Sequence, residues 1–354
     1  WWVLVLGQGG PTRAKAASGY TFDGVRLARR PFPFWAASSP AWNRVIVELA
    51  QSQTFRRRLL SLDPMFQVLG PRLRLDVPPD SALFGLEVER EFPDVRRMID
   101  ELYVKLAEVN AAADTAFEKD VVVPPGGFWE RRETDRLLAS LPLLRATSDA
   151  DLLAELPQDH RYRAVVDVTV RFASHLASPP PFARARLHGA WTRGLHALAR
   201  GEDELLEFLR ERVLAHGGEV RLDEQATSIA HRRGKLVGVA IDGDDVVTGA
   251  QFLVTDLDVR ALMSLAPDFE LPRRAEDELP DLVPRAYRFT TSLAVRSAGL
   301  PALLAQESFL VPSHPGRPVV HLQRLPGARG ATGVELLVAE ALLPAGGPVP
   351  LDAA

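Results

Sequence analysis

The chain of 354 residues is long enough to bury the cores of two domains, and its 46% apolar composition excludes a disordered or fibrous protein. A formal net charge of -4 provides no concentrated basic surface, which argues against a nucleic-acid partner. Cysteine is absent, so disulfides, thiolate metal sites and cysteine nucleophiles are ruled out, in keeping with a reducing, cytoplasmic setting.

Taken in chain order, Val3 to Leu6 is an unbroken apolar run that stops at glycine, the pattern of a strand buried on both faces of a parallel sheet. It begins almost at the first residue, without an initiator Met, and the last residues, Pro344 to Ala354, are turn-rich; the expectation is a fragment of a longer protein. No run approaches the roughly 20 apolar residues of a spanning helix. Trp42 to Leu62 has apolar residues at helical spacing, and Leu73 to Val77 alternates as a strand before the Pro78-Pro79-Asp80 turn. Phe92-Pro93-Asp94 opens a helix with Val95, Met98, Ile99, Leu102, Leu106 and Val109 on one face. Helical spacing also predicts helices over Asp135 to Leu144 and Asp149 to Leu156.

Beyond the Pro179-Pro180-Pro181 loop, Asp203 to Leu214 reads as an amphipathic helix with an acidic start, closed by His216-Gly217-Gly218 as a glycine cap. Glu219 to Leu222, Ala226 to His231, Leu236 to Ile241 and Phe252 to Val254 are predicted strands, with turns at Arg233-Gly234 and Asp242-Gly243-Asp244. Phe289 to Val295, Phe309 to Val311, Val319 to Leu322 and Val334 to Val338 are predicted as four more. The order predicts an α/β protein with two domains. A nucleotide-binding, Rossmann-like domain is assembled from discontinuous segments, 1–62 and 196–270, and a mixed α+β substrate domain comprises 63–195 and 271–354.

Gly9-Gly10, eight residues and then Gly19-Tyr20-Thr21-Phe22-Asp23 resembles the segment after the second strand of FAD-dependent phytoene desaturases, carotenoid isomerases and related amine-oxidase-type oxidoreductases. The stretch from Leu198 through "VLAHGGEVRLDEQATSIAHRRGKLVGVAI" to "FLVTDLD" is similar to the return of the same family into its flavin domain. "LGPRLRLDVPPDSALFGLEVEREFPD" looks like the family's hairpin and following helix, so the resemblance spans most of the chain, although only the two glycine-containing blocks are specific. On this alignment Val3 to Leu6 matches the second strand of the dinucleotide fold. Gly7-Gln8-Gly9 is then either an ordinary turn or a partial phosphate cradle, with Thr12 where a third glycine would stand.

The resemblance implies FAD as cofactor and a long apolar polyene or isoprenoid as substrate. It also implies hydride transfer to the flavin, or a flavin-assisted isomerisation. Gly9 and Gly10 match glycines whose bare backbone approaches the pyrophosphate. Arg13 stands near the family's phosphate-binding arginine, whose own place Pro11 takes. Ala226 matches a strand residue offering its backbone to adenine, and Thr255 and Asp256 lie where the family has residues near the cofactor. The bland alternatives are a turn for the glycines, strand packing for Ala226, and a loop or cap role for Asp256. Gly7 and Gln8 occupy the position where the family carries an acidic ribose ligand, a departure that weakens cofactor binding.

No side chain identifies itself as a catalytic base. His160, His175, His188 and His196 have no metal-binding spacing, and a lone histidine is more often a surface or satisfied core residue. Arg26, Arg29 and Arg30 with Phe32, Phe34 and Trp35, followed by Phe55-Arg56-Arg57-Arg58, read chiefly as a solvated face over a core. The alternative reading is peripheral contact with an anionic membrane surface. Against a flavin oxidoreductase stand two other readings: a non-catalytic remnant without flavin, and a flavin amine oxidase or protoporphyrinogen-oxidase-like enzyme.

Overall fold

A computed structural model describes residues 2–7, 19–22, 25–34, 39–119, 125–144, 152–174, 179–267, 283–284, 286–313, 317–325 and 333–345. Its elements begin with β1 (Leu4–Leu6), β2 (Gly19–Phe22), β3 (Val25–Ala28), α1 (Pro40–Glu48), α2 (Ser52–Arg56), β4 (Leu59–Ser61), β5 (Phe66–Gly70) and β6 (Leu73–Val77). Helices α3 (Ser81–Glu91), α4 (Arg96–Phe117), α5 (Phe128–Ser140), α6 (Tyr162–Ser174) and α7 (Pro181–Gly189) follow, then β7 (His196–Leu198), α8 (Glu202–Ala215) and β8 (Glu219–Arg221). The remainder comprises β9 (Ala226–Arg232), β10 (Lys235–Ile241), β11 (Thr248–Gly249), α9 (Val259–Ser264), β12 (Ala286–Arg296), β13 (Glu307–Leu310), β14 (Val320–Leu325) and β15 (Val334–Pro344). The chain is thus a mixed α/β protein.

It divides into two compact units, one of residues 1–20 and 205–284 and the other of 21–204 and 285–354. Residues 21–62 and 196–204, assigned from sequence to the cofactor-side domain, fall in the second unit. In the first unit β1 runs parallel to β8, with Leu4 opposite Glu219 and Leu6 opposite Arg221. Helix α8 reaches β8 through Gly217, whose φ of 77° lies in the left-handed region that glycine adopts without a Cβ penalty. Gly7 closes β1 by donating its N–H to the Arg221 carbonyl at 3.1 Å, and a Cβ there would stand 2.3 Å from the Leu222 oxygen. Strands β9, β10 and β11 form a meander, and the β9–β10 hairpin turns at Arg233 and Gly234, both with positive φ as a tight right-twisted hairpin requires.

The second unit contains a six-stranded sheet in the order β12-β15-β14-β13-β5-β6. Every described ladder in it is antiparallel except β13 with β5, where Ser308 lies opposite Gln67. Because side chains alternate along a strand, Phe66, Val68, Leu75, Val77 and Phe309 share one face, and this face packs against the buried stripes of α3, α4, α6 and α7. The expected apolar face of α4 is observed, with Ile99, Leu102, Leu106 and Val109 buried and Met98 partly so. Trp191 ties the layers together, its ring centroid 4.8 Å from Phe84, 5.3 Å from Tyr103 and 6.1 Å from Phe66. Each such side chain contributes about 1.5–3 kcal/mol on burial. On the opposite face the buried Gln67 amide donates to Asp76 and to the Leu303 carbonyl, both at 2.8 Å, and accepts from the Ala305 N–H at 2.8 Å.

Three element predictions are corrected. The continuous helix expected over 42–62 breaks at Ala50, which has a φ of 53°, and resumes as the short α2 before β4 pairs with β7. An edge-to-face triad of Phe34, Trp42 and Phe55, with centroids 5.0 to 5.7 Å apart, occupies the bend, so packing replaces helical continuation there. Phe252 to Val254 joins none of the described sheets. Within the predicted 149–156 helix, the described residues 152–156 form turns.

Candidate functional site

The sequence-predicted cofactor residues separate into two groups. Gly9, Gly10 and Arg13 lie outside the described residues. Ala226, Thr255 and Asp256 all belong to the first unit. Ala226 opens β9 opposite Ile241 and is half-buried; β9 is an edge strand of its sheet, and its Ile229 N–H donates outside the sheet to the Leu265 carbonyl at 2.6 Å. The Thr255 hydroxyl accepts from the Leu257 N–H at 3.0 Å in a local turn, while the exposed Asp256 precedes Asp258, which caps α9 by accepting from the Ala261 N–H at 2.9 Å. No described hydrogen bond joins Ala226, Thr255 and Asp256 to one another. Thr255 and Asp256 are exposed, whereas Ala226 is half-buried.

A second constellation, absent from the sequence reading, occupies the second unit. Where the inner sheet face passes beyond Phe309 it changes from apolar to polar, because the register aligns Glu307 with Gln323, His321 with Phe309, and Glu340 with His321. Glu307 and His321 are 1% and 3% exposed, and the His321 Nε2 lies 2.8 Å from Glu307 Oε2. The other Glu307 oxygen accepts from Gln323 Nε2 at 2.6 Å, and the Gln323 carbonyl accepts from the Phe32 N–H at 3.1 Å. A buried carboxylate with two donors is compensated for its lost hydration, as burial of a charge demands. The His321 ring stacks on Phe309 with centroids 4.7 Å apart, which fixes its plane.

One strand further out, Glu340 is 4% exposed and forms an ion pair with Arg288, whose Nε is 3.0 Å from Oε2, although that oxygen lacks a partner in hydrogen-bond geometry. Burial pushes the Glu340 carboxyl above the usual carboxylate range, and the positive charges of Arg288, His321 and Arg30 oppose the shift. Arg30 in turn binds Glu202 through Nε at 3.2 Å. The row therefore grades from a sealed His–Glu pair to more accessible arginines, with side-chain exposures of 26% at Arg288 and 40% at Arg30. Chemically it can orient a polar group. Its sequence signal was a charged residue inside an otherwise apolar strand, as in Val334-Glu335-Leu336-Leu337-Val338-Ala339-Glu340, but the strand register that brings such residues together is not written locally.

Two of the histidines singled out in the sequence are held by neighbouring side chains. His188 is fully buried and hydrogen-bonded on both ring nitrogens, to Tyr103 at 3.1 Å and Thr169 at 3.0 Å, and burial pulls its pKa down to about 3. His160 pairs with the exposed Asp94 at 3.3 Å. Burial also lowers the pKa of His196, and His175 lies outside the described residues. Among the described residues no group of three or more histidine, aspartate or glutamate side chains is arranged to hold a metal ion. Of the aromatic residues weighed as a membrane face, Phe34 and Phe55 are buried in the triad, whereas Trp35 lies outside the described residues.

No protein-family model matches the sequence, and no curated protein does. Solved structures are similar in fold. An oxidoreductase from Methanosarcina mazei superposes with a TM-score of 0.56 at 15% identity, over 96% of this chain and 78% of that one. The PF1083 protein from Pyrococcus furiosus gives 0.55 at 13% identity, over 97% and 74%. At such identities the likeness concerns the fold.

Proposed function

We propose that the chain is an FAD-dependent oxidoreductase of the phytoene-desaturase-like group, acting on a long apolar substrate. The observation that carries this reading is the fold likeness to the Methanosarcina mazei oxidoreductase across 96% of the chain. The parallel β1–β8 pair and the β9–β10–β11 meander agree with it, since they occur in the order that the family resemblance requires. Gly9, Gly10 and Arg13 would hold the pyrophosphate, the Ala226 backbone the adenine, and Thr255 and Asp256 the neighbourhood of the flavin. Removal of a hydride from an unactivated or allylic C–H is chemistry that a flavin supplies when bound. The chain supplies a half-buried strand residue at Ala226 and exposed polar residues at Thr255 and Asp256.

A related reading, a flavin oxidase for a substrate with a polar group, is favoured by the Glu307, His321, Glu340 and Arg288 row, which a purely hydrocarbon substrate would not need. The visible absorption spectrum, taken after FAD is added and the excess removed, tests both. Flavin bands that stay with the wild-type protein and are lost in Gly9→Val/Gly10→Val support the assignment; a folded wild-type chain that retains none refutes it. Turnover of amines in preference to polyenes would select the second reading.

A further inference from the structure

We propose that β12 pairs with β12 of a second copy of this chain, antiparallel about Thr291, so that two six-stranded sheets run on as one. The inference is independent of the flavin reading and starts from the contrast between the two edges of the sheet. At one edge, β6 is five residues long, carries Arg74 and Asp76, and runs into Pro78-Pro79. Side chains of α3 bind its outer backbone: the Asp76 N–H donates to Glu87 at 3.4 Å, and Arg90 donates to the Arg74 carbonyl at 2.7 Å. Short length, charge, proline and a covering helix all protect an edge against strand addition. The other edge, β12, is eleven residues long, contains neither proline nor lysine, and follows β15 residue for residue without a bulge. Among the described residues no strand pairs with its other side. Tyr287, Phe289 and Leu293 are 56%, 43% and 48% exposed, and Thr291 between them is exposed as well.

An alternating apolar row on a long strand edge suits the addition of a further strand, and the residues of β12 make its own copy a fitting one. In an antiparallel pair centred on Thr291, every residue from Ala286 to Arg296 has a partner. Phe289 then faces Leu293, Tyr287 faces Val295, and Thr291 faces itself on a two-fold axis, all favourable cross-strand pairs. Arg288 and Arg296 lie opposite Ala294 and Ala286, and Arg288 keeps its ion pair with Glu340 at 3.0 Å. Charge and backbone chemistry fix this register. A centre at Ser292 would set Arg288 against Arg296, and a centre at Thr290 would set Arg296 against Pro284, which has no N–H to donate.

The test is sedimentation velocity of the full chain over a concentration series, in which wild type is expected to dimerise. Thr291→Lys and Thr291→Glu each set like charges face to face on the two-fold axis, and each should weaken the dimer at least about tenfold. Mixing the two variants should restore a dimer, because lysine then faces glutamate, a rescue that a folding defect would not give. Thr291 is exposed, so circular dichroism of both variants should match wild type. A wild type still monomeric at about 100 μM overturns the proposal, and slow hydrogen exchange at the β12 amides in that monomer would assign the edge to another segment of the same chain. Variants that dimerise as wild type does, or a mixture that stays monomeric, overturn it equally.

Discussion

Replacing His188 with glutamine tests how the helical layer of the second unit treats protons. The ring sits in a directed chain of hydrogen bonds. The Thr169 hydroxyl donates to the Val166 carbonyl at 2.9 Å, so it must accept from His188 Nδ1–H, which leaves Nε2 to accept from the Tyr103 hydroxyl. Tyr103 is then free to accept from Tyr162, 2.9 Å away. The imidazole is neutral in this arrangement, and burial lowers its pKa from 6.5 to about 3. An unfolded chain has the ordinary histidine value and binds the proton more readily, so the native state is favoured most above pH 6.5. That advantage falls by about 1.4 kcal/mol per pH unit as the pH drops from 6.5 toward 3, a loss of about 2 kcal/mol by pH 5. Glutamine cannot take up the proton, and it leaves buried partners unpaired at a cost of about 1–3 kcal/mol at pH 7.5. Urea unfolding followed by circular dichroism from pH 7.5 to 5 should show wild type ahead at neutral pH and the gap closing by about 2 kcal/mol as the pH falls. A gap that stays constant across this range would mean that the folded protein protonates His188 normally, and the burial argument would fail.

In the sheet, His321→Phe keeps the stacking volume over Phe309 but removes a donor from the buried Glu307. Urea unfolding is expected to show a loss of about 3 kcal/mol, and a loss under about 1 kcal/mol would mean that water reaches the carboxylate. In the first unit, Gly7→Ala places a methyl group against the Leu222 carbonyl. It should cost about 1–3 kcal/mol and speed hydrogen exchange at the Gly7 and Glu219 amides, which bond across the β1–β8 boundary; unchanged exchange would show that the close approach relaxes freely.

Elements whose cause is local were legible. Helix α4 announces itself because a single stripe from Val95 to Val109 meets the sheet, and α8 because acidic residues open it and glycines close it. The break near Ala50 was not legible, since no glycine or proline marks it and its cause is the contact of Phe34, distant in sequence, with Trp42 and Phe55. Phe252 to Val254 has the composition of a strand, yet it joins none of the described sheets, because strand formation depends on tertiary pairing and not on composition alone. The same reason hid the Glu307, His321 and Glu340 row. Each residue was visible as a polar interruption, but their meeting depends on the pairing register of three strands. Ala226, Thr255 and Asp256 were placed by resemblance alone, and the structure collects them in one compact unit.

The pairing of Leu4 with Glu219, and of Gln67 with Ser308, also sets a timetable. During synthesis at about 5–20 residues per second, β1 waits roughly 10 to 40 s before β8 exists to receive it. The parallel β5–β13 ladder likewise cannot close until Ser308 has followed Gln67 out of the ribosome. Contacts between such distant segments close slowly, because a long loop must be ordered before any bond rewards it. No contiguous cut separates the units either: a chain stopped after Glu204 strips β8 from β1 and, with the same break, β13 from β5.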